Sequence, residues 1–195
     1  MGSKTKTFNP GDGGPPYRCG VMALVFNRQG QLLACRRAPE KDSIRSENSW
    51  QTPQGGIDEG EDPLTAAFRE LSEEIGLGSD KVKLLMQAPT PTQYQFPDFG
   101  TSTDIIHMKY RGQRHEWFAF LYTGNDIQAD VSFDRGDEIE FCAVEWWPPE
   151  RLVKEVVPFK QASFQTAIAA FADIIAELKK ANIATPISTS STPKP

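Results

Sequence analysis

Cysteine is scarce in this chain and scattered. Cys19, Cys35 and Cys142 form an odd set with no C-x-x-C spacing. That excludes a disulfide scaffold and fits reduced, inert thiols in a cytoplasmic protein. Histidine is scarcer: only His107 and His115 are present, too few to complete a zinc site with such cysteines. No apolar run is long enough to span a membrane. The opening MGSKTKTFNPGDGGPP lacks the apolar core of a secretory leader. Lys6 stands where a myristoylation motif needs Ser or Thr. Positive charge is in deficit, with 21 Lys and Arg against 26 Asp and Glu, a net charge of −5. The chain therefore has no general attraction for nucleic acid, and a polyanion must be met by a local basic patch and a metal. No internal repeat is visible, and no obligate protein partner can be inferred.

What is there is ordinary globular composition. The 195 residues are 38% hydrophobic and 24% charged, enough for one domain with a sizeable core. Pro, Gly and polar residues mark 1–16 as a flexible arm, and the low-complexity stretch ending in STPKP marks 182–195 as a disordered tail. One domain over 17–181 remains.

The densest pattern lies in GGIDEGEDPLTAAFRELSEEIGL, which runs from Gly55 to Leu77. Asp62 before Pro63 is a helix-start signal, and Gly76 is a stop. Leu64, Ala67, Phe68, Leu71 and Ile75 recur at helical spacing as an apolar stripe. Glu70, Glu73 and Glu74 sit off it and converge on one patch, where they repel by roughly a few tenths of a kcal/mol per pair. A solvated acidic face is the ordinary reading of such a cluster. Hard oxygen ligands grouped this way also suit Mg²⁺, with Mn²⁺ as a substitute.

Gly55, Glu61, Arg69, Glu70, Leu71, Glu73, Glu74, Gly76 and Leu77 fill every fixed position of the Nudix box, G-x5-E-x7-R-E-U-x-E-E-x-G-U, with U aliphatic. The chain resembles the Nudix hydrolases. The resemblance implies an α/β fold, an α/β/α sandwich with a mixed central sheet, and metal-dependent attack of water on a phosphoanhydride. YRCGVMALVFNRQGQLLACRR, KYRGQRHEWFAF and VVPFKQASF narrow the likeness to one branch. That branch holds the bacterial RNA pyrophosphohydrolases, also described as dinucleoside polyphosphate hydrolases, and the plant-type asymmetric diadenosine tetraphosphate hydrolases. Two substrates follow: a dinucleoside polyphosphate, with diadenosine tetraphosphate cleaved to ATP and AMP as the favoured reading, and the 5′-triphosphate end of RNA. A non-catalytic nucleotide-binding module is a third reading, but such modules usually lose the glutamates kept here.

The resemblance also suggests roles. Glu70, Glu74 and Glu73 become metal ligands, with the Gly55 backbone close by. Arg69 orients a carboxylate, and Glu61 holds the glycine loop on the helix. Glu140 is carried over as general base or extra ligand; Ile139 replaces the proline expected before it, and Glu138 is the fallback. Around the motif, 18–26 and 31–35 read as a β-hairpin, 82–87 as a strand and 88–97 as a proline-rich loop. The stretches 102–110 and 115–122 read as further strands, 126–136 as an acidic loop, and 138–147 as a strand. A last helix carries Phe164, Ile168, Phe171, Ile174, Ile175 and Leu178. Candidate substrate contacts are Arg18, Arg36, Gln54, Lys109, Arg111 and Lys160, all of which could equally be surface polar residues. Tyr94 is a candidate stacking platform, on the premise of a half-exposed ring, with Phe96 and Phe99 as weaker ones. Glu116 stands where the resembling bacterial enzymes carry a basic or polar residue.

Overall fold

The computed structural model describes residues 5–38, 50–97, 109–133 and 139–184. Phe99, His107, Glu138, the tail from 185, and most of the 38–48 and 102–110 segments lie outside these residues. The strands are β1 (Thr7–Phe8), β2 (Tyr17–Phe26), β3 (Leu32–Arg37), β4 (Trp50–Gln51), β5 (Gln54–Gly56), β6 (Val82–Gln87), β7 (Thr92–Gln95), β8 (Gly112–Tyr122) and β9 (Phe141–Trp147). The helices are α1 (Pro63–Ile75), α2 (Ile127–Asp130), α3 (Pro149–Glu155), α4 (Pro158–Ala170) and α5 (Ala172–Ala184).

One mixed sheet carries the order β4-β3-β2-β8-β6, with β1 and β5 also on β2, β7 on β8, and β9 on β3. β2 and β8 run parallel along the whole length of β2, and the other pairings are antiparallel. The expected hairpin survives only at its turn. Phe26 pairs with Leu32, and beyond that β3 leaves to pair with β9 and β4. Into the opening comes β5, with Gly20 opposite Gly56 and Val21 opposite Gly55. Glycine is required there: a Cβ on Gly20 would stand 2.5 Å from the Gly55 carbonyl oxygen.

The two faces of the sheet bury two apolar clusters. On one face, Ala66, Ala67, Leu71 and Ile75 of α1 meet Val21, Ala23, Phe118 and Phe120. On the other, Phe164, Ala167 and Phe171 meet Met22, Leu24 and Trp117. Continuous burial of β2 follows from helices on both sides. The α/β/α expectation holds.

Three local expectations are corrected. The stretch 88–97 contains β7, whose Thr92 hydroxyl accepts a hydrogen bond from Trp117 Nε1 at 2.8 Å. The last helix is two, broken at Phe171, whose fully buried ring anchors the bend. The arm 1–16 is not loose where it is described. Thr7 and Phe8 pair with Arg18 and Tyr17 because the edge of β2 offers them backbone partners, and Thr5 bridges to Asp58 in the loop after β5.

Candidate active site

α1 starts and stops where its sequence says. Asp62 Oδ1 accepts the N–H groups of Leu64 at 3.0 Å and Thr65 at 3.1 Å. Gly76 adopts φ 71°, and its N–H and that of Leu77 return to the last helical carbonyls. The helix thus presents fixed positions to the loop after β5.

The three helix glutamates do not share one environment. Glu70 is buried, 8% exposed, and its carboxyl lies against Gly55, where a Cβ would come within 1.9 Å of it. Glu74 is half-buried, and its Oε2 accepts the Gln54 N–H at 2.8 Å. Glu73 is turned outward, its side chain 58% exposed, and meets Arg69 at 3.0 Å. Within the three-carboxylate patch, helical geometry puts Glu70 and Glu74 on the inner side and Glu73 on the rim, where Arg69 Nη1 bridges it to Glu70.

Arg69 ties the loop to the helix. Its Nε and Nη2 grip the two oxygens of Glu61 at 2.9 and 3.0 Å, Nη2 also donates to the Gly56 carbonyl at 2.8 Å, and Nη1 reaches Glu70 at 2.7 Å. Glu61 in turn accepts the Asp58 N–H at 2.9 Å. Arg69 holds Glu61 below the usual carboxylate range. Burial pushes Glu70 up, against the pull of Arg69. Burial pushes Glu74 well up too, reinforced by the nearby charges of Glu70 and Glu140 and opposed by Gln54 N–H and Arg37.

Glu140 reaches this group from the start of β9 and is paired with Arg37 at 2.8 Å. Arg37 is the arginine on the carboxylates, whereas Arg36, expected as a substrate contact, is exposed on the other side of β3. Alternation along β3 was the available signal, since Arg37 shares a face with Leu33 and Cys35, which pack with α1.

Beside the carboxylates lies a second polar group. Lys160 is buried at the start of α4, with Nζ 3.3 Å from Gln54 Oε1 and 3.5 Å from Gln51 Oε1. Burial lowers it to about 8, with Arg37 adding to the effect. Tyr94 is also buried, 7% exposed. Its ring stacks on His115 with centroids 5.6 Å apart, packs 5.4 Å from Phe159, and its hydroxyl donates to Gln113. The half-exposed platform is thus corrected: β7 carries Tyr94 inward onto β8, and no open face is left for a base. Phe96 packs edge-on against Tyr94.

Arg18 lines a narrow cavity of about 30 Å³ with Gln54, Gly55, Gln113 and His115. Arg111 is committed elsewhere, to Asp12 and the Pro15 carbonyl. Lys109 is exposed above the Tyr110 ring. Gln51 is a site residue that no sequence signal pointed to, whereas His115 belongs to the basic stretch of Lys109, Arg111 and Arg114 that sequence offers as a polyphosphate contact. Arg37 Nε, Gln51 Nε2 and His115 Nδ1 are buried without a hydrogen-bond partner among the described residues. Burying such groups unpaired is costly, and these sit around the carboxylate and lysine groups. A larger polar groove of about 490 Å³, between Arg28, Tyr122 and Trp146, opens at the opposite end of β2 and holds none of the motif carboxylates.

Among the described residues no three His, Cys, Asp or Glu are already arranged around an ion. The donor set nevertheless fits a hard divalent cation. Glu70 is buried and Glu74 half-buried, a cation would relieve their mutual repulsion, and Gly55 leaves room beside Glu70 that any Cβ would fill. Glu140 is near them, and Glu73 is joined to Glu70 through Arg69 Nη1.

The NUDIX domain model matches residues 16–167. The RNA pyrophosphohydrolase of Rhizobium meliloti (strain 1021) is 42% identical over 163 residues, covering 82% of this chain and 96% of that protein. The protein of the same description from Agrobacterium fabrum (strain C58) is 41% identical over 163 residues, covering 80% and 92%. Among solved structures, the E. coli dihydroneopterin triphosphate pyrophosphohydrolase aligns with TM-score 0.56 at 15% identity, covering 77% of this chain and 95% of that one. A C. elegans Ap4A hydrolase binary complex aligns with TM-score 0.52 at 15% identity, covering 81% and 98%. These last two likenesses show the fold. Nudix hydrolases generally use divalent metal ions. With its family model matched over most of its length and its box residues gathered at one loop and one helix, the chain belongs to the Nudix family and is a Nudix hydrolase.

Proposed function

We propose that this enzyme is a Mg²⁺-dependent pyrophosphohydrolase that acts on the 5′-triphosphate end of RNA. The chemistry rests on one observation: buried Glu70 lies against a glycine at which any Cβ would collide with its carboxyl, and half-buried Glu74 follows one turn on along α1. Glu70 and Glu74, with Glu140 and the Gly55 carbonyl, are the residues that would hold the ion; Mn²⁺ is a substitute. Bound there, Mg²⁺ would neutralise phosphate charge and acidify water. Arg69 orients Glu70, and the Gln54 N–H orients Glu74. Glu140, whose carboxylate Arg37 holds, would serve either as an extra ligand or as the base that takes a proton from the attacking water. Phosphate oxygens would satisfy the unpartnered Arg37 Nε and Gln51 Nε2, and Lys160 would add a charge. Arg18 lines the approach.

The RNA substrate is supported by relatives at 36–42% identity that carry that name. A diadenosine polyphosphate is the second reading, favoured by the net charge of −5, which gives a long polyanion no general attraction. The chemistry at the anhydride is the same in both. A cytoplasmic setting suits either substrate; no helix among the described residues is long and apolar enough to cross a membrane. Side-by-side turnover of a short 5′-triphosphate RNA and diadenosine tetraphosphate, with products separated by ion exchange, tests the choice. Pyrophosphate from RNA at the higher kcat/KM is expected. ATP and AMP at the higher kcat/KM would reverse the order of the two readings.

A further inference from the structure

The N-terminal segment 5–16 contributes nothing to the motif, yet it is built onto it. Lys6 donates its N–H to the Ile57 carbonyl at 2.8 Å and accepts the Cys19 N–H at 3.0 Å. Thr5 bridges to Asp58. The segment therefore runs along the outer side of the loop that leaves Gly55. The inner side of that loop is held by Arg69 on the Gly56 carbonyl and by Glu61 on the Asp58 N–H. The two supports face each other across three residues.

The far end of the segment is fixed by one charged clasp. Arg111 Nη2 donates to Asp12 Oδ1 at 2.7 Å, Nη1 reaches the other Asp12 oxygen, and Nε donates to the Pro15 carbonyl at 2.5 Å. The intervening sequence is shaped for this. Gly11 and Gly13 hold φ of 82° and 78°, which L side chains rarely adopt. Asp12 Oδ1 also accepts the Gly14 N–H at 3.1 Å. A Cβ on Gly14 would stand 1.6 Å from Arg111 Nη2, so a side chain there would displace the guanidinium from its present place. Arg114 covers Phe8 from 4.2 Å and pins the strand end of the segment.

We propose that residues 5–16 are a strap that sets the catalytic loop, and that Asp12 is a positioning residue for hydrolysis. Its clasp on Arg111 keeps Thr5 and Lys6 on Asp58 and Ile57, which keeps Gly55 seated against Glu70. The proposal rests on Glu70 and Gly55 as the reaction centre. It assigns Arg111 to the strap and not to substrate.

The test compares Asp12→Ala, Arg111→Ala, their double variant and Glu74→Gln in the full chain. The measurements are kcat and KM on 5′-triphosphate RNA at saturating Mg²⁺, and deuterium exchange over 55–58. Asp12 is at the surface, so the fold survives its loss. Each clasp variant is expected to lower kcat about tenfold, since small misplacements at a reacting centre are costly. KM stays within about twofold, exchange over 55–58 rises, and the double variant is no worse than either single one, as for two residues acting as one unit. Wild-type kcat and exchange in Asp12→Ala, with Glu74→Gln inactive, would overturn the strap alone. A raised KM confined to Arg111→Ala would overturn it too, by returning Arg111 to the substrate. Turnover retained by Glu74→Gln would overturn the reaction centre, and the strap's catalytic role with it.

Discussion

Gly55 is the residue on which the catalytic geometry turns. Any side chain there would enter the space of the Glu70 carboxyl, which cannot swing away because Arg69 holds it at 2.7 Å. Gly55→Ala is therefore expected to lower kcat by about 10²-fold or more, with a melting temperature within a few degrees of wild type. Steady-state kinetics beside a thermal melt check both halves; full activity would mean that Glu70 is not confined. His115 carries a different prediction. Its ring is buried and held neutral, its pKa well below the ordinary value because of burial and the nearby charges of Lys160 and Arg18. The folded state refuses a proton that the unfolded state accepts from about pH 6.5 downward. Its contribution is thus fully present above pH 6.5 and is lost as pH falls, by about 1.4 kcal/mol per unit while the unfolded histidine alone is charged. His115→Gln should flatten the fall in stability between pH 6.5 and 5, measured by urea unfolding at each pH. Equal slopes in the two proteins would contradict it. Both residues bear on what sequence can show. Gly55 was legible because the motif fixes it. His115 reads from sequence as one charge of a basic stretch and Gln51 not at all, because their burial comes from β7 and α4 closing over them, and nothing local encodes that.

At the scale of elements, α1 is the piece most completely written in the sequence. Its cap, its stop and its apolar stripe are all local signals, and the structure uses each. Asp62→Ala removes two accepted N–H bonds and is expected to cost about 1 kcal/mol. A melting temperature lower by roughly 2–4 °C follows for a domain of this size, and an unchanged value would show that α1 is held by packing alone. Other elements were less legible for reasons that can be named. TQYQ of β7 has neither an apolar run nor clean alternation; it is a strand because β8 offers it an edge. The hairpin of β2 and β3 was read from a good local turn, but β9 and β5 compete for the same edges and win beyond Phe26. Arg36 was preferred to Arg37 at a strand end where one step of alternation decides the face. Tyr94 was read by likeness as an open platform, and its burial under Phe159 and Lys160 makes it a support for them.

At the scale of the whole molecule, the proposed catalytic group is assembled from distant parts of the chain. Glu70 and Glu74 come from α1, Glu140 from the approach to β9, Lys160 from α4, and Arg37 from β3. The parallel β2–β8 pairing at the centre brings Arg18 beside Gln113 and Gly20 beside His115. That pairing is long-range and leaves no local trace, which is why fold class was legible and strand order was not. Glu70, set against Gly55, and Glu74 are proposed to make hydrolysis depend on a divalent metal. The most direct measurement is pyrophosphate release from a 5′-triphosphate RNA across a Mg²⁺ titration, for the wild type and for Glu74→Gln and Glu70→Gln. The wild type should turn over only with Mg²⁺, and each variant should remain folded and lose roughly 10²-fold or more of kcat. Turnover without metal, or near-normal rates in either folded variant, would contradict it.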